Sequence, residues 1–220
     1  MLGPLFFRLL IAVGITGAAG GTYVWRLPTF IVFVALEAAW SLVEGFLVRA
    51  GQVSTPAWQS GDPRQIPWVL MGKRYLLARM LYHAVLLAYF GAVGSLTAAP
   101  TDFLAVVGIA LMLAAIGLRA WSMQTLGERF RSFEVRTESE GLETGGPYAV
   151  VRHPGYLAMI LFDLGMPLLL NSILLLPFFF IPLAVLMQRV DAEEALLENA
   201  YPVDYPEYVA KTWRIVPRVY

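Results

Sequence analysis

The chain has 220 residues, 58% of them hydrophobic and 15% charged, with a mean hydropathy of +0.64. Soluble domains carry about a quarter charged residues, so lipid is the expected solvent for much of this surface. The 16 basic residues balance 16 acidic ones, which excludes a general nucleic-acid binder, and the absence of cysteine excludes disulfides, thiolate nucleophiles and cysteine-ligated metals.

Crossing the ~30 Å hydrocarbon layer takes about 20 apolar residues in a helix. Segments of that kind run over Leu5–Trp25, Thr29–Val48, Tyr75–Leu96 and Phe103–Met123. The first carries only Arg8 and lacks a small-residue cleavage site, so it reads as a retained span and not as a signal peptide. Between the second and third spans, Gly51–Gly72 reads as a Pro/Gly/Trp-rich loop with Trp58 and Trp68 as interfacial anchors. Gln124–His153 is the most polar stretch of the chain. Tyr156–Gln188 is longer than one span and is interrupted by Pro167, Asn171-Ser172, Pro177 and Pro182. Asn-Ser is good turn chemistry, which predicts two short helices in a hairpin turning near Asn171; one long kinked helix is the alternative. The tail opens as an acidic helix over Asp191–Glu198, turns at Tyr201-Pro202 and forms a short helix over Tyr205–Thr212.

The fold class is therefore all-α: a polytopic transmembrane helical bundle of about six crossings, with a C-terminal hairpin and a cytoplasmic loop and tail. Charge supports that count. With a cytoplasmic N-terminus, every Lys and Arg except Arg26 falls on the inner side, provided the last apolar region crosses twice. The expectation is an integral membrane protein with both termini and its polar apparatus on the cytoplasmic face. Residues 1–123 form a four-span region suited to admitting a lipophilic substrate, and residues 124–220 the catalytic module.

Ionisable groups inside spans are costly and are either paired or functional. Glu37 and Glu44, seven apart, share one helix face, as do Arg79 and His83, four apart. The plain reading is that these faces meet and neutralise each other; the sharper one makes them a cavity wall. Asp163 has no evident partner in the sequence and is a functional candidate. The two histidines, His83 and His153, lie far apart without helical ligand spacing, so no metal site is expected.

The most informative run is Gly141–Tyr156, rich in glycine and proline. It predicts an irregular loop whose backbone N–H groups between Gly145 and Gly155 are free to bind a ligand. Pro154 biases His153 to an extended conformation and starts the next helix, whose N-terminus suits an anionic group such as a carboxylate. An interfacial loop with a snorkelling Arg152-His153 pair is the plain alternative. After the hairpin the chain returns to the same face with Arg189, Glu193 and Glu194. Arg189 and Glu193 are placed to pair along the helix.

The stretch Gly117–Gly127, then Phe130, Leu142–Tyr148, Arg152-His-Pro-Gly-Tyr156, Arg189 with Glu193-Glu194, and Tyr205 with Tyr208 resembles the isoprenylcysteine carboxyl methyltransferase family. It is similar more widely to membrane methyltransferases that include phospholipid N-methyltransferases. The likeness covers about the last hundred residues. It implies a site for S-adenosylmethionine lined by Leu142, Glu143, Tyr148, Arg152, His153 and Tyr156 and closed by Glu193 and Glu194, with Arg189 nearest the methyl acceptor. Glu143 stands where the family has a hydrophobic residue, and Pro202 where it has a glycine.

Methyl transfer from a sulfonium is an in-line displacement, so alignment and exclusion of water are the protein's main tasks. A carboxylate acceptor needs a cation such as Arg189 to hold it. A thiol or amine acceptor would need a base, for which Glu194 is available. The expected partners are membrane lipid and a lipophilic or prenylated substrate, with no nucleic acid. The resemblance favours the carboxylate of a prenylcysteine-like acceptor, with a phospholipid amine or small thiol as the alternative. An NADPH-dependent lipid or sterol reductase and a non-enzymatic membrane scaffold are the readings from other classes.

Overall fold

The structure is a computed structural model that describes residues 27–50, 65–93, 102–127, 141–170 and 172–219. The expected first span Leu5–Trp25 and the expected turn residue Asn171 lie outside these. Six α-helices are described: α1 (Leu27–Ala50), α2 (Gln65–Val93), α3 (Asp102–Leu126), α4 (Pro154–Leu169), α5 (Phe180–Ala200) and α6 (Asp204–Lys211). Short 3₁₀ segments at Gly146–Ala149 and Ile173–Phe179 precede α4 and α5. No strand occurs among the described residues, apart from an isolated parallel bridge between Val151 and Trp213.

α2 begins at Gln65, so the end of the expected Gly51–Gly72 loop is helical. Its Pro67 sits in the first turn, where a missing N–H costs nothing. Both Phe103–Leu126 and the continuous helical stretch from Ile173 to Ala200 contain an apolar window long enough to cross a membrane. In the second the apolar run ends at Gln188, and Arg189–Ala200 continues the same helix as a polar extension. The acidic tail helix is thus the end of α5 and not a separate element.

α4 has 16 residues, about 24 Å at 1.5 Å per residue. Helix breaks off at Leu170, where Ser172 N–H donates to Pro167 O at 2.7 Å. The chain must reverse there, because His153 before α4 and Glu194 late in α5 lie in contact. Two elements and a turn are observed, not one kinked helix.

α4 packs along α3, and α5 packs on α2. The α3–α4 contact depends on glycine: a Cβ on Gly108 would lie 2.6 Å from Gly165 O and from Leu169 N, and one on Gly165 would lie 2.7 Å from Gly108 O. Small residues that let helix backbones touch are how helices associate without a hydrophobic driving force between them. The core between α1, α2, α3 and α4 is built from Phe33, Trp40, Leu86, Met112, Phe162 and Met166. Leu42, Leu77, Leu81, Phe103, Leu113 and Phe180 point outward, as expected of faces solvated by lipid.

The buried charges pair across helices in an arrangement the sequence did not indicate. Arg79 Nε donates to Asp163 Oδ1 at 2.7 Å, and His83 Nε2 lies 3.2 Å from the same oxygen. His83 Nδ1 lies 3.4 Å from Glu37 Oε1, and the Tyr82 hydroxyl donates to Asp163 O at 3.0 Å. Glu44 takes a different partner, Arg119 of α3, through two hydrogen bonds of 2.6 and 3.3 Å. The expected meeting of the Glu37/Glu44 and Arg79/His83 faces therefore holds for Glu37, which lies against His83 and whose charge also acts on Arg79, and not for Glu44. Asp163, for which the sequence offers no evident partner, is the hub of the cluster.

Candidate functional site

The loop that opens the site is anchored from both sides. Gly145 N–H donates to Glu143 Oε1 at 2.8 Å, which lets the chain turn into Gly146 at φ +54°. A Cβ on Gly146 would lie 2.8 Å from Thr125 Oγ1 and 3.3 Å from Trp121 Nε1, so only glycine seats this loop on the end of α3. The 3₁₀ turn buries Pro147 and Tyr148, and the Tyr208 hydroxyl of α6 donates to Tyr148 O at 2.7 Å.

The C-terminal segment then runs beside the loop. Arg152 N–H donates to Trp213 O at 2.8 Å, His153 N–H to Arg214 O at 3.1 Å, and Trp213 N–H to Val150 O at 3.0 Å. These bonds correct the expectation of a loop with free amides. Gly145, Tyr148, Val150, Val151, Arg152 and His153 all spend their N–H groups on the protein, so side chains, and not these amides, must supply recognition.

Those side chains converge. Arg152 Nε donates to Glu194 Oε1 at 3.0 Å, and His153 Nε2 lies 3.2 Å from that oxygen. The second oxygen of Glu194 is 2.8 Å from Arg214 Nε, and Arg214 also pairs with Asp191. His153 Nδ1 lies 3.9 Å from Glu193 Oε2. The His153 and Tyr156 rings stack, with centroids 5.5 Å apart and planes at 22°. Arg189, almost fully buried, donates from Nε to the Tyr156 hydroxyl at 2.9 Å. Leu142 packs on the cluster of Leu197, Tyr201, Tyr205 and Tyr208. The nine residues singled out from sequence thus lie along one loop, the first turn of α4 and the facing α5, with Leu142 and Tyr148 against the tail and Arg189 on Tyr156.

Glu194 lies beyond the apolar run of α5. Burial raises its pKa, but hydrogen bonds from His153 and Arg152, and the charges of both, outweigh that and bring it down to about 2. It is a weak base. Burial and then the Glu194 charge push the Tyr205 phenol up; its hydroxyl is buried without a hydrogen-bond partner among the described residues. Sequence reasoning missed Arg214, Tyr205 as a site wall, and Arg119. Arg214 sits after a helix end in an unremarkable tail, and only the return of the chain shows its place. Arg119 lay within the Gly117–Gly127 stretch, and its charge inside an apolar segment was the available signal.

Residues 107–199 match the isoprenylcysteine carboxyl methyltransferase (ICMT) family. The match covers less than half of the chain. Among curated proteins, the protein-S-isoprenylcysteine O-methyltransferase of Schizosaccharomyces pombe is 26% identical over 216 residues, which is 90% of this chain and 89% of the relative. The Xenopus laevis enzyme of the same name is 29% identical over 112 residues, 50% of this chain and 39% of the relative. For the Dictyostelium discoideum enzyme the figures are 26% over 117 residues, 52% and 49%. The chain thus spans most of the fission yeast relative but less than half of the other two. The solved structure of the eukaryotic intramembrane Ras methyltransferase ICMT superposes with a TM-score of 0.57 at 20% identity. It covers 98% of this chain and 74% of that one, and shows that the fold is shared.

Proposed function

We propose that this chain is an integral membrane methyltransferase that moves a methyl group from S-adenosylmethionine to the carboxylate of a prenylcysteine-like acceptor. The observation that carries the proposal is the meeting of His153 and Tyr156, before and within the first turn of α4, with Arg189, Glu193 and Glu194 late in α5. The family match spans both halves of that meeting.

The residues present fit the cofactor's chemistry. A stacked His153–Tyr156 pair offers an aromatic wall, Glu193 and Glu194 suit a cationic ligand, and the buried Tyr205 hydroxyl beside Glu194 adds a polar group to that side. Leu142, Glu143, Tyr148, Arg152, His153, Tyr156 and Glu193 would hold S-adenosylmethionine, which supplies an electrophilic methyl. Arg189, positioned by the Tyr156 hydroxyl, holds the acceptor carboxylate in line, with the burial around it keeping water away. Because Glu194 is held ionised by His153, Arg152 and Arg214, its role is to organise the loop. That favours a carboxylate acceptor, which needs no base, over a thiol or amine, which would.

A dinucleotide would need free cations for its phosphates, yet Arg152 and Arg214, which flank the loop, are both engaged by carboxylates. The remaining expectations belong to the same proposal: about six crossings, an inward-facing site with cytoplasmic termini, residues 1–123 as the lateral entrance for the lipophilic acceptor and residues 124–220 as the catalytic module. Calorimetry on detergent-solubilised protein tests the cofactor. S-adenosylhomocysteine should bind and NADPH should not; the reverse would replace methyl transfer with reduction.

A further inference from the structure

Arg119 has no part in the reading above, yet it touches the site's backbone. It is buried in the last turns of α3. Its fork toward α1 is bidentate, Nε to Glu44 Oε1 at 2.6 Å and Nη2 to Glu44 Oε2 at 3.3 Å. The remaining terminal nitrogen, Nη1, lies 2.7 Å from the point a Cβ on Gly155 would occupy. Gly155 is fully helical, in the first turn of α4, between the stacked pair His153 and Tyr156. Its glycine identity is therefore not set by backbone conformation: the space a side chain would take is filled by the guanidinium of a residue 36 positions earlier.

Three features make this more than packing. An arginine buried against a helix start is costly unless its charge is met, and the counter-charge comes from α1, outside the family-matched residues 107–199. A planar bidentate pair fixes the direction of the third nitrogen in a way that an ammonium could not. The same end of α3 also seats the other glycine of the loop, Gly146, against Thr125 and Trp121. The end of α3 is thus a template that touches the cofactor loop at two glycines, and Glu44 holds one of the two contacts rigid.

We infer that Arg119, locked by Glu44, is a positioning residue for the His153–Tyr156 wall, and that α1 takes part in cofactor binding without contacting the cofactor. This rests on the proposed S-adenosylmethionine site. It assigns the N-terminal helices a role beyond admitting substrate.

A double-mutant cycle tests it, read by S-adenosylhomocysteine calorimetry and by KM and kcat. Gly155→Ala should raise Kd and KM for the cofactor about tenfold, because the new methyl must displace the guanidinium or the wall. In an Arg119→Lys background, whose shorter head leaves the space open, adding Gly155→Ala should cost less than about threefold. Glu44→Gln should weaken cofactor binding with little change in kcat at saturation, and it should also lower the melting temperature because it leaves the buried Arg119 charge unmet; the split between KM and kcat is the readout that separates positioning from stability. Additive effects in the cycle, or unchanged Kd in Gly155→Ala, would overturn the inference. If the parent protein binds no S-adenosylhomocysteine, it is the methyltransferase reading that fails.

Discussion

Replacing Asp163 with asparagine should cost this protein about 3 kcal/mol of stability while hardly changing its shape. The carboxylate accepts from Arg79 at 2.7 Å and lies 3.2 Å from His83 Nε2, all three groups almost fully buried. Asparagine removes the charge and leaves the Arg79 guanidinium in the bundle, with Glu37 as the remaining carboxylate near it among the described residues. Breaking a buried pair from one side costs about 3–5 kcal/mol. The lower end applies here because Arg79 keeps its stacking on Trp40 and Phe162, at 5.3 and 5.5 Å from the ring centroids, worth about 0.5–2 kcal/mol. The double variant Arg79→Met/Asp163→Leu removes both charges and should recover all but about 1 kcal/mol, the lost stacking. Equilibrium unfolding by SDS titration in mixed micelles measures both. A double variant as unstable as Asp163→Asn, or an Asp163→Asn protein as stable as the parent, would refute the view that this cluster is a structural ion pair.

The same titration tests the glycine contact: Gly165→Ala, whose methyl would meet Gly108 O at 2.7 Å, should lose about 1–3 kcal/mol by pushing α3 and α4 apart, and unchanged stability would contradict the close approach. Arg189→Ala should lower kcat by at least about a hundredfold yet leave S-adenosylhomocysteine affinity within a few-fold; retained turnover would remove Arg189 from the acceptor site. Glu194 has a folded pKa of about 2, below its ordinary 4.5, so its ionised form favours the folded state. That contribution is complete above about pH 4.5 and is lost as pH falls toward about 2. Thermal stability followed from pH 6 to pH 3 should fall at the acid end, less so in Glu194→Gln, and identical profiles would contradict the pairing.

Local signals made most of the helices legible. Apolar runs of spanning length located α1 and α3 to within a few residues, and the break predicted between α4 and α5 is seen at Leu170 and Ser172. Pro154 marked the start of α4. What stayed hidden depends on which helix faces which. Glu37 and Glu44 share a face but end on different partners, because α1 lies against α2 at one level and α3 at another. Asp163 looked isolated since its partners Arg79 and His83 lie 84 and 80 positions away. The Gly-Pro composition of Gly145–Gly155 promised open amides, but the loop's own turns use those of Gly145, Tyr148, Val150 and Val151, and the tail, arriving through Trp213 and Arg214, uses those of Arg152 and His153. Composition can say that a loop is irregular; it cannot say what will run beside it. The site candidates came from a different source, an ordered set of short motifs, of which those from Gly117 to Glu194 overlap the family match.

The central claim is a methyl transfer, and a tritiated-methyl assay on purified, detergent-solubilised protein tests it most directly. With tritiated S-adenosylmethionine and a panel of prenylcysteine, fatty acid, lipophilic thiol and phosphatidylethanolamine acceptors, label should appear on the prenylcysteine as a base-labile methyl ester. It should disappear in Arg189→Ala. Label on the thiol or amine alone would keep the methyltransferase and reassign its acceptor, and no label on any acceptor from protein that binds S-adenosylhomocysteine would contradict the account.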